Sequence, residues 1–332
     1  ILASYDVFDE TRYFDPGQEV PEPVAFKGER VGLSICEDLW ADPELAPGPI
    51  RYAFDPIRDL AAQGATLMLN ASASPGHLGT WVPPGKAPGW AVPGKLELRR
   101  RLLQGHARRH GVPIAYASRV GSESWLTFDG GSGLVFPDGT WRGAPPFQES
   151  VFLVDTQASG LPWLVDPAEA QWLRQALGFG LRENLAKQGL EAVVVGLSGG
   201  IDSAVVVAMA VENLGKERVL GAALPTRYTS EESLQLAEAQ ARHLGIPFLT
   251  LSADEPFAGA GAALSRVFPD RTFGLTDENL QSRARGSLLM ALTTEPSVHR
   301  LLGTNRVAVL NTGNKSEAAT GYFTLYGDGI GA

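Results

Sequence analysis

Apolar residues along this 332-residue chain recur in two rhythms. Runs with strand spacing lie at 30–36 (Arg-Val-Gly-Leu-Ser-Ile-Cys), 65–71, 112–118 and 133–136, and stretches with helical spacing at 54–63 and 95–110 separate them. A Pro137-Asp138-Gly139 turn and a strand-like run over 150–155 close this half, so the pattern predicts an α/β layer ending in hairpin-like strands. A Gly- and Pro-containing segment then breaks the periodicity. The expected organisation is a first domain over 1–156, a linker over 157–166 and a second domain over 167–332.

In the second half Leu173, Leu177, Leu181 and Leu185 recur every four residues and predict an amphipathic helix. It leads into a strand at 192–197. Strands near 219–224, 248–251 and 307–311 alternate with helices near 204–214, 231–244 and 277–293. Such alternation predicts a doubly wound parallel sheet, with ligands at the C-terminal ends of its strands.

Composition narrows the classes. Hydrophobic content of 44% and charged content of 20% describe a globular chain, and no apolar stretch reaches the ~18 to 20 residues of a membrane span. The opening residues carry acids and no basic region, unlike a signal peptide, which makes a cytoplasmic location the default expectation. A net charge of −9 argues against nucleic acid as a partner. The basic cluster Arg99-Arg100-Arg101 with Arg108-Arg109 is expected to be the solvated face of one helix. A single cysteine, Cys36, excludes an intrachain disulfide and a cysteine-based zinc site. The Pro-rich run 81–93 is a loop, either a surface excursion or a lid contacting through Trp81 and Trp90. Ile1 is not an initiator methionine and Ala332 ends a Gly-rich string, so the sequence is expected to be an internal piece of a longer protein.

Candidate chemistry concentrates first at 196–203, Gly-Leu-Ser-Gly-Gly-Ile-Asp-Ser, between an apolar strand and a helix. Such a turn aims backbone N–H groups and a helix N-terminus at one point, which suits phosphate. No lysine follows the glycines, so this is not a Walker loop. The plain alternative is a tight strand-to-helix turn with Asp202 as a cap. The order Ser-Gly-Gly-x-Asp-Ser resembles the pyrophosphate loop of the ATP pyrophosphatase superfamily. With Leu224 to Ser230, Glu278-Asn279-Leu280-Gln281-Ser282-Arg283, Asn311 to Glu317 and Gly321 to Gly329, the chain resembles the NAD⁺ synthetase family in order and spacing.

That resemblance implies a set of roles. Gly196, Leu197, Ser198, Gly199, Gly200, Ile201, Asp202, Ser203 and Thr312 would bind ATP, and Asp202 and Glu317 would hold Mg²⁺ as hard oxygen ligands. Asn279, Arg283, Glu317, Tyr322, Phe323, Thr324, Leu325 and Asp328 would bind deamido-NAD⁺. The implied chemistry is adenylation of a carboxylate followed by amidation with ammonia.

The first half resembles the matching ammonia source. Ser34-Ile35-Cys36-Glu37-Asp38-Leu39-Trp40, the stretch 7–14, Ser74-Pro75 and Thr127-Phe128-Asp129-Gly130-Gly131-Ser132 resemble the glutamine-hydrolysing nitrilase branch attached to NAD⁺ synthetases. By that resemblance Cys36 is the nucleophile, and Tyr5, Glu37 and Ser74 hold glutamine. The family's base Glu and its Lys would fall before residue 1, and a later ATP-binding lysine beyond residue 332; Glu10 and Lys27 are not assigned to the gap. The implied fold is a partial nitrilase-like α/β sandwich followed by a doubly wound, Rossmann-like pyrophosphate-loop ATPase domain. The implied partners are ATP, deamido-NAD⁺ and glutamine, with a homo-oligomer expected. Two alternatives stand beside this: an inactive ATP-binding module, and another pyrophosphate-loop amidotransferase such as a GMP synthetase-like enzyme.

Overall fold

The computed structural model describes residues 1–3, 8–45, 52–77, 94–124, 126–158, 160–161, 168–327 and 329–331. The candidate residues Tyr5 and Asp328, the Pro-rich run 81–93 and most of the expected linker lie outside the described residues. The chain divides into two compact units, Ile1–Gly180 and Leu181–Ala332.

In the first unit the elements are β1 (Val24–Phe26), β2 (Glu29–Ile35), α1 (Pro56–Ala62), β3 (Leu67–Ser72), α2 (Lys95–His110), β4 (Ile114–Ser118), β5 (Val120–Glu123), β6 (Leu126–Asp129), β7 (Gly133–Val135) and β8 (Trp141–Gly143). They form a mixed six-stranded sheet in the order β1-β2-β3-β4-β7-β8, with β2, β3 and β4 parallel, while β5 and β6 make a separate hairpin. Two-residue alternation decides the faces. Met68, Ile114, Tyr116 and Val135 turn toward Leu39, Ile57, Leu60, Leu103 and Ala107 to make one core. Leu33, Ile35 and Leu69 turn the other way and stay exposed. Asp55 starts α1 by accepting the N–H groups of Ile57 and Arg58, with Pro56 in the first turn, where a missing N–H costs nothing.

Helix α3 (Glu169–Lys187) runs through the division between the units. Its residues Trp172 and Ala176 are buried, whereas Leu173 and Leu177 are exposed. A four-residue repeat advances 400° on a helix, so the leucine stripe drifts around the surface and only its later members, Leu181 and Leu185, join a core. Two further expectations need correction. Residues 150–155 carry no ladder hydrogen bonds, and Val151 and Leu153 are fully exposed, because strand-like alternation forms a strand only when a sheet edge offers partners. Arg99 is not on a solvated face: it is 5% exposed, and its guanidinium grips the buried Asp129 carboxylate at 3.2 Å.

The second unit holds β9 (Ala192–Gly196), α4 (Ile201–Leu214), β10 (Val219–Ala223), α5 (Glu231–Leu244), β11 (Phe248–Thr250), α6 (Asp254–Val267), α7 (Leu275–Thr294), α8 (Pro296–Leu302), β12 (Val307–Leu310) and α9 (Lys315–Thr320). Its four strands are all parallel in the order β11-β10-β9-β12. Val193 and Val195 pack with Val207 and Ala210 of α4 and Ala237 and Ala241 of α5. Ala192 and Val194 pack with Leu292 of α7 and Val298 and Leu302 of α8. This is the expected doubly wound sheet. Helices α6 and α8 escape the periodicity, the first because Gly259 and Gly261 dilute its apolar pattern, the second because it is only seven residues long. Among the described residues no helix is long and apolar enough to cross a membrane.

The buried Arg99–Asp129 pair gives a stability test. Asp129→Ala leaves a guanidinium buried without its countercharge and should lower unfolding free energy by about 3–5 kcal/mol. Arg99→Met combined with Asp129→Ala should recover part of that loss in urea titrations.

Candidate active sites

Parallel pairing aligns the C-terminal ends of β9, β10 and β12 at one edge of the second sheet, and a cavity of ≈ 460 Å³ opens there. Gly196, Leu197 and Ser198 line it from β9, Leu224 and Pro225 from β10, and Asn311 and Thr312 from β12. Helix α5 adds Ser230 and Ser233, and α7 adds Ser282, Arg285, Gly286 and Leu289. The α7 residues are spaced at three and four, which puts them on one helical face.

The loop after β9 is braced internally. The Ser203 hydroxyl donates to the Gly200 carbonyl at 3.1 Å and accepts the Ser198 N–H at 3.3 Å, while the Ser198 hydroxyl accepts the Gly200 N–H at 3.2 Å. Gly199 has φ +81°, and a Cβ there would lie 2.5 Å from the Ser233 carbonyl oxygen. Only glycine fits that turn. Gly200 caps α4 without any side-chain bond, so the first-turn N–H groups of the helix are not consumed by a capping side chain. The arrangement can accept a phosphate. Arg285, to which the sequence pattern assigns no role, donates from Nε to the Leu224 carbonyl at 3.0 Å and from Nη2 to Gln281 Oε1 at 2.7 Å. Its guanidinium is thereby fixed at the cavity wall. Nothing in its spacing marks it, because α7 carries another arginine two residues away.

The predicted ligand residues fall into three groups. Gly196, Leu197, Ser198 and Thr312 line the cavity, and Gly199, Gly200, Ile201, Asp202 and Ser203 continue the loop into α4. Asp202 and Glu317 lie in the first turns of α4 and α9, which come after the neighbouring strands β9 and β12. Glu317 closes a capping box, its Oε2 accepting the Asn314 N–H at 3.0 Å. Asp202 is exposed and makes no ion pair among the described residues. Two carboxylates at adjacent strand ends are a hard-oxygen donor set and fit Mg²⁺. The third group is off the cavity: the Thr324 hydroxyl donates to Asn279 Oδ1 at 2.8 Å, and Arg283 Nε donates to the Leu325 carbonyl at 3.2 Å. Two motifs far apart in sequence thus meet beside α7. Tyr322 and Phe323 project into solvent at 83% and 44% exposure.

In the first unit Cys36 comes directly after β2 and opens a short 3-10 helix over Cys36–Trp40. Its φ is +39°, an uncommon conformation for a residue with a Cβ, of the kind found at functional turns. The Asp38 carboxylate steadies the turn by accepting the Ile35 N–H at 2.8 Å. Burial pushes the Cys36 thiol up, a hydrogen bond from the Ala73 backbone pulls it back, and the Glu37 and Glu10 charges add to the rise. Glu37 is 5% exposed and accepts the Tyr52 hydroxyl. Ser74 is buried, and its carbonyl accepts Arg99 Nη2 at 3.3 Å. Beneath the turn, Asn70 Nδ2 donates to Ser34 Oγ at 3.0 Å and Ser72 Oγ to Asn70 Oδ1 at 2.7 Å. Sequence reading misses Tyr52, Arg99 and the role of Asp129; the Thr127-Phe128-Asp129 motif holds a signal for the last alone.

These features define a two-unit α/β protein with a pyrophosphate-type loop in one unit and a strained strand-end cysteine in the other. The NAD synthase family profile matches residues 173–332. The chain is 42% identical over 339 residues to a glutamine-dependent NAD(+) synthetase of Synechocystis sp., covering 99% of this chain and 55% of that protein. It is 39% identical over 341 residues to the protein of that name from Xanthomonas campestris pv. campestris, with the same coverage of 99% and 55%. A solved glutamine-dependent NAD⁺ synthetase from Acinetobacter baumannii, in complex with ADP, matches it with TM-score 0.81 and 32% identity, covering 100% of this chain and 57% of that one. Over 99% of its length the chain is similar to proteins named glutamine-dependent NAD(+) synthetase, and it spans about half the length of the curated relatives it matches.

Because burial and two nearby carboxylates favour the thiol over the thiolate, alkylation of Cys36 by iodoacetamide at about pH 7 should run slower than that of free cysteine. The rate should climb as the pH rises beyond the ordinary thiol range. Mass spectrometry of this one-cysteine chain measures it directly.

Proposed function

We propose that this chain supplies residues to both half-reactions of a glutamine-dependent NAD⁺ synthase, with the base and lysine of the glutaminase half not among residues 1–332. Residues 1–156 would hydrolyse glutamine, 157–166 would link, and 167–332 would adenylate and amidate deamido-NAD⁺. The observation that carries the reading is the braced Ser-Gly-Gly-Ile-Asp-Ser loop at the mouth of the cavity formed by β9, β10 and β12.

In the second unit ATP lies with its phosphates against the loop after β9. Gly196 to Ser203 offer N–H and hydroxyl donors, Thr312 a hydroxyl, and Arg285 a fixed positive charge near the phosphate end. Asp202 and Glu317 would hold Mg²⁺, which neutralises charge on phosphate oxygens. The nicotinate carboxylate oxygen bonds to the α-phosphorus as the bond to pyrophosphate breaks. Ammonia then attacks the acyl carbon, loses a proton, and AMP leaves. Asn279, Arg283, Glu317, Tyr322, Phe323, Thr324, Leu325 and Asp328 would hold the dinucleotide, whose rings can stack on the exposed Tyr322 and Phe323.

In the first unit the Cys36 sulfur attacks the glutamine carboxamide carbon, ammonia departs after gaining a proton, and water opens the thioester to glutamate. A thiol held protonated by its surroundings needs a base to take its proton, in keeping with the Glu and Lys that the family resemblance assigns upstream of residue 1. Tyr5, Glu37 and Ser74 would orient glutamine. The protein is proposed to be cytoplasmic and homo-oligomeric.

Two outcomes test the division of labour. In a full-length parent that supplies the upstream Glu and Lys, Cys36→Ala should abolish NAD⁺ formation from glutamine while leaving formation from ammonium salts within about twofold, and equal loss with both donors would sink the proposal. Asp202→Asn and Glu317→Gln should each slow turnover with either donor by roughly tenfold or more, with partial recovery at raised Mg²⁺. The amide introduced by Glu317→Gln keeps a carbonyl for the capping bond, so loss of fold does not confound that variant.

A further inference from the structure

Helix α2 presents His106 and His110 four residues apart on one face, their rings stacked at 5.9 Å and 17°. His106 is 0% exposed. Its Nε2 lies 2.9 Å from the Leu39 carbonyl oxygen. A carbonyl only accepts, so Nε2 carries the proton and donates it. That leaves Nδ1 as a lone pair, buried and without a hydrogen-bond partner among the described residues. Two buried carboxylates, Asp42 and Asp55, come together with this imidazole so that one ligand atom of each residue lies within 4.8 Å of the others.

Two of the three groups keep a free acceptor atom. Asp42 Oδ1 accepts the N–H groups of Glu44 and Leu45, and Oδ2 pairs with Arg109. Asp55 Oδ1 takes the N–H groups of Ile57 and Arg58, which leaves Oδ2 without a partner among the described residues. A fully buried imidazole lone pair with no donor to meet it is costly unless water or a cation reaches it. His110, stacked on His106, has a second buried nitrogen, Nε2, with no partner among the described residues.

We propose that Asp42, Asp55 and His106 form a binding site for a divalent transition-metal ion of the Zn²⁺ class. An imidazole nitrogen with two carboxylate oxygens is a donor set for Zn²⁺ or Co²⁺, whereas Mg²⁺ and Ca²⁺ take oxygen throughout. Bonds of about 2.1 Å in tetrahedral geometry place ligand atoms roughly 3.4 Å apart, so the side chains close by about 1 Å on binding. The His106 Nε2–H to Leu39 carbonyl bond is the outer-shell contact that orients a metal-bound histidine. Leu39 lies in the Cys36–Trp40 turn, so the ion ties the turn carrying Cys36 to the start of α1 and the end of α2. It acts as a structural clip within the first unit.

Co²⁺ titration of the chain carrying Cys36→Ala, which removes the single thiol, tests this by visible absorption, with Zn²⁺ calorimetry in parallel. The expected result is one equivalent bound with ligand-field bands of a four- or five-coordinate ion, displaced by Zn²⁺. His106→Gln, which keeps a donor for Leu39, and Asp55→Asn, which keeps the helix cap, should each weaken binding by about tenfold or more; Asp202→Asn should not change it. Should either variant unfold, ¹⁵N NMR of the chain with native His106 decides, since Zn²⁺ must shift His106 Nδ1 while Nε2 stays protonated. Absence of one-equivalent binding, or binding that survives both substitutions, overturns the proposal and leaves a buried water as the occupant.

Discussion

Ala192 to Val195 of β9 are completely buried, with alternate side chains entering two different cores. A strand covered on both faces by helices suits the crossover connections of a parallel sheet, which carry a helix over each face. Parallel order in turn gathers the C-terminal ends of β9, β10 and β12 on one edge, and every loop implicated in nucleotide chemistry leaves from that edge. The apolar run at 192–195 therefore fixes where the chemistry lies without containing a single functional group.

The turn after β9 depends on close approach. Gly199 sits against the Ser233 carbonyl with φ +81°, and Gly286 allows α7 to pass the Tyr326 and Gly327 backbone, where a Cβ would meet the Tyr326 carbonyl at 2.8 Å. These contacts draw α5, α7 and the C-terminal segment around one cavity. They also bring Asn279 to Thr324 and Arg283 to Leu325, so that hydrogen bonds across 42 and 45 residues order a second patch next to it. Motif order in the sequence groups these residues by role; backbone proximity groups them by place.

The buried basic side chains among the described residues of the first unit all lie on one helix. The inward face of α2 carries Leu98, Leu102, Leu103 and Ala107, and among them Lys95, Arg99 and His106. Arg99 is held by Asp129, the Gly130 carbonyl and the Ser74 carbonyl, which ties the hairpin of β5 and β6 to the segment beside Cys36. His106 holds the Leu39 carbonyl on the other side of the same turn. The strained backbone at Cys36 is thus clamped from both ends of α2, the kind of support a residue at unfavourable φ requires.

Periodicity and local motif by themselves determined most of the elements, the alternation that makes the second unit a parallel sheet, and the Gly-rich turn after β9, since strand period, helix period and a Gly-rich turn are short-range properties of neighbouring residues; the Cys36 segment was marked by family resemblance. They did not determine which side of a helix faces inward when polar and apolar residues share it. Arg99 reads as surface by type and is buried because Asp129, thirty residues later, supplies its countercharge. The same holds for residues 150–155, strand-like in alternation but without a paired edge, and for Arg285, whose place at the cavity wall is set by the Leu224 carbonyl and Gln281. Countercharges, sheet edges and carbonyl acceptors are brought up by packing from distant parts of the chain, so only the tertiary structure could decide them.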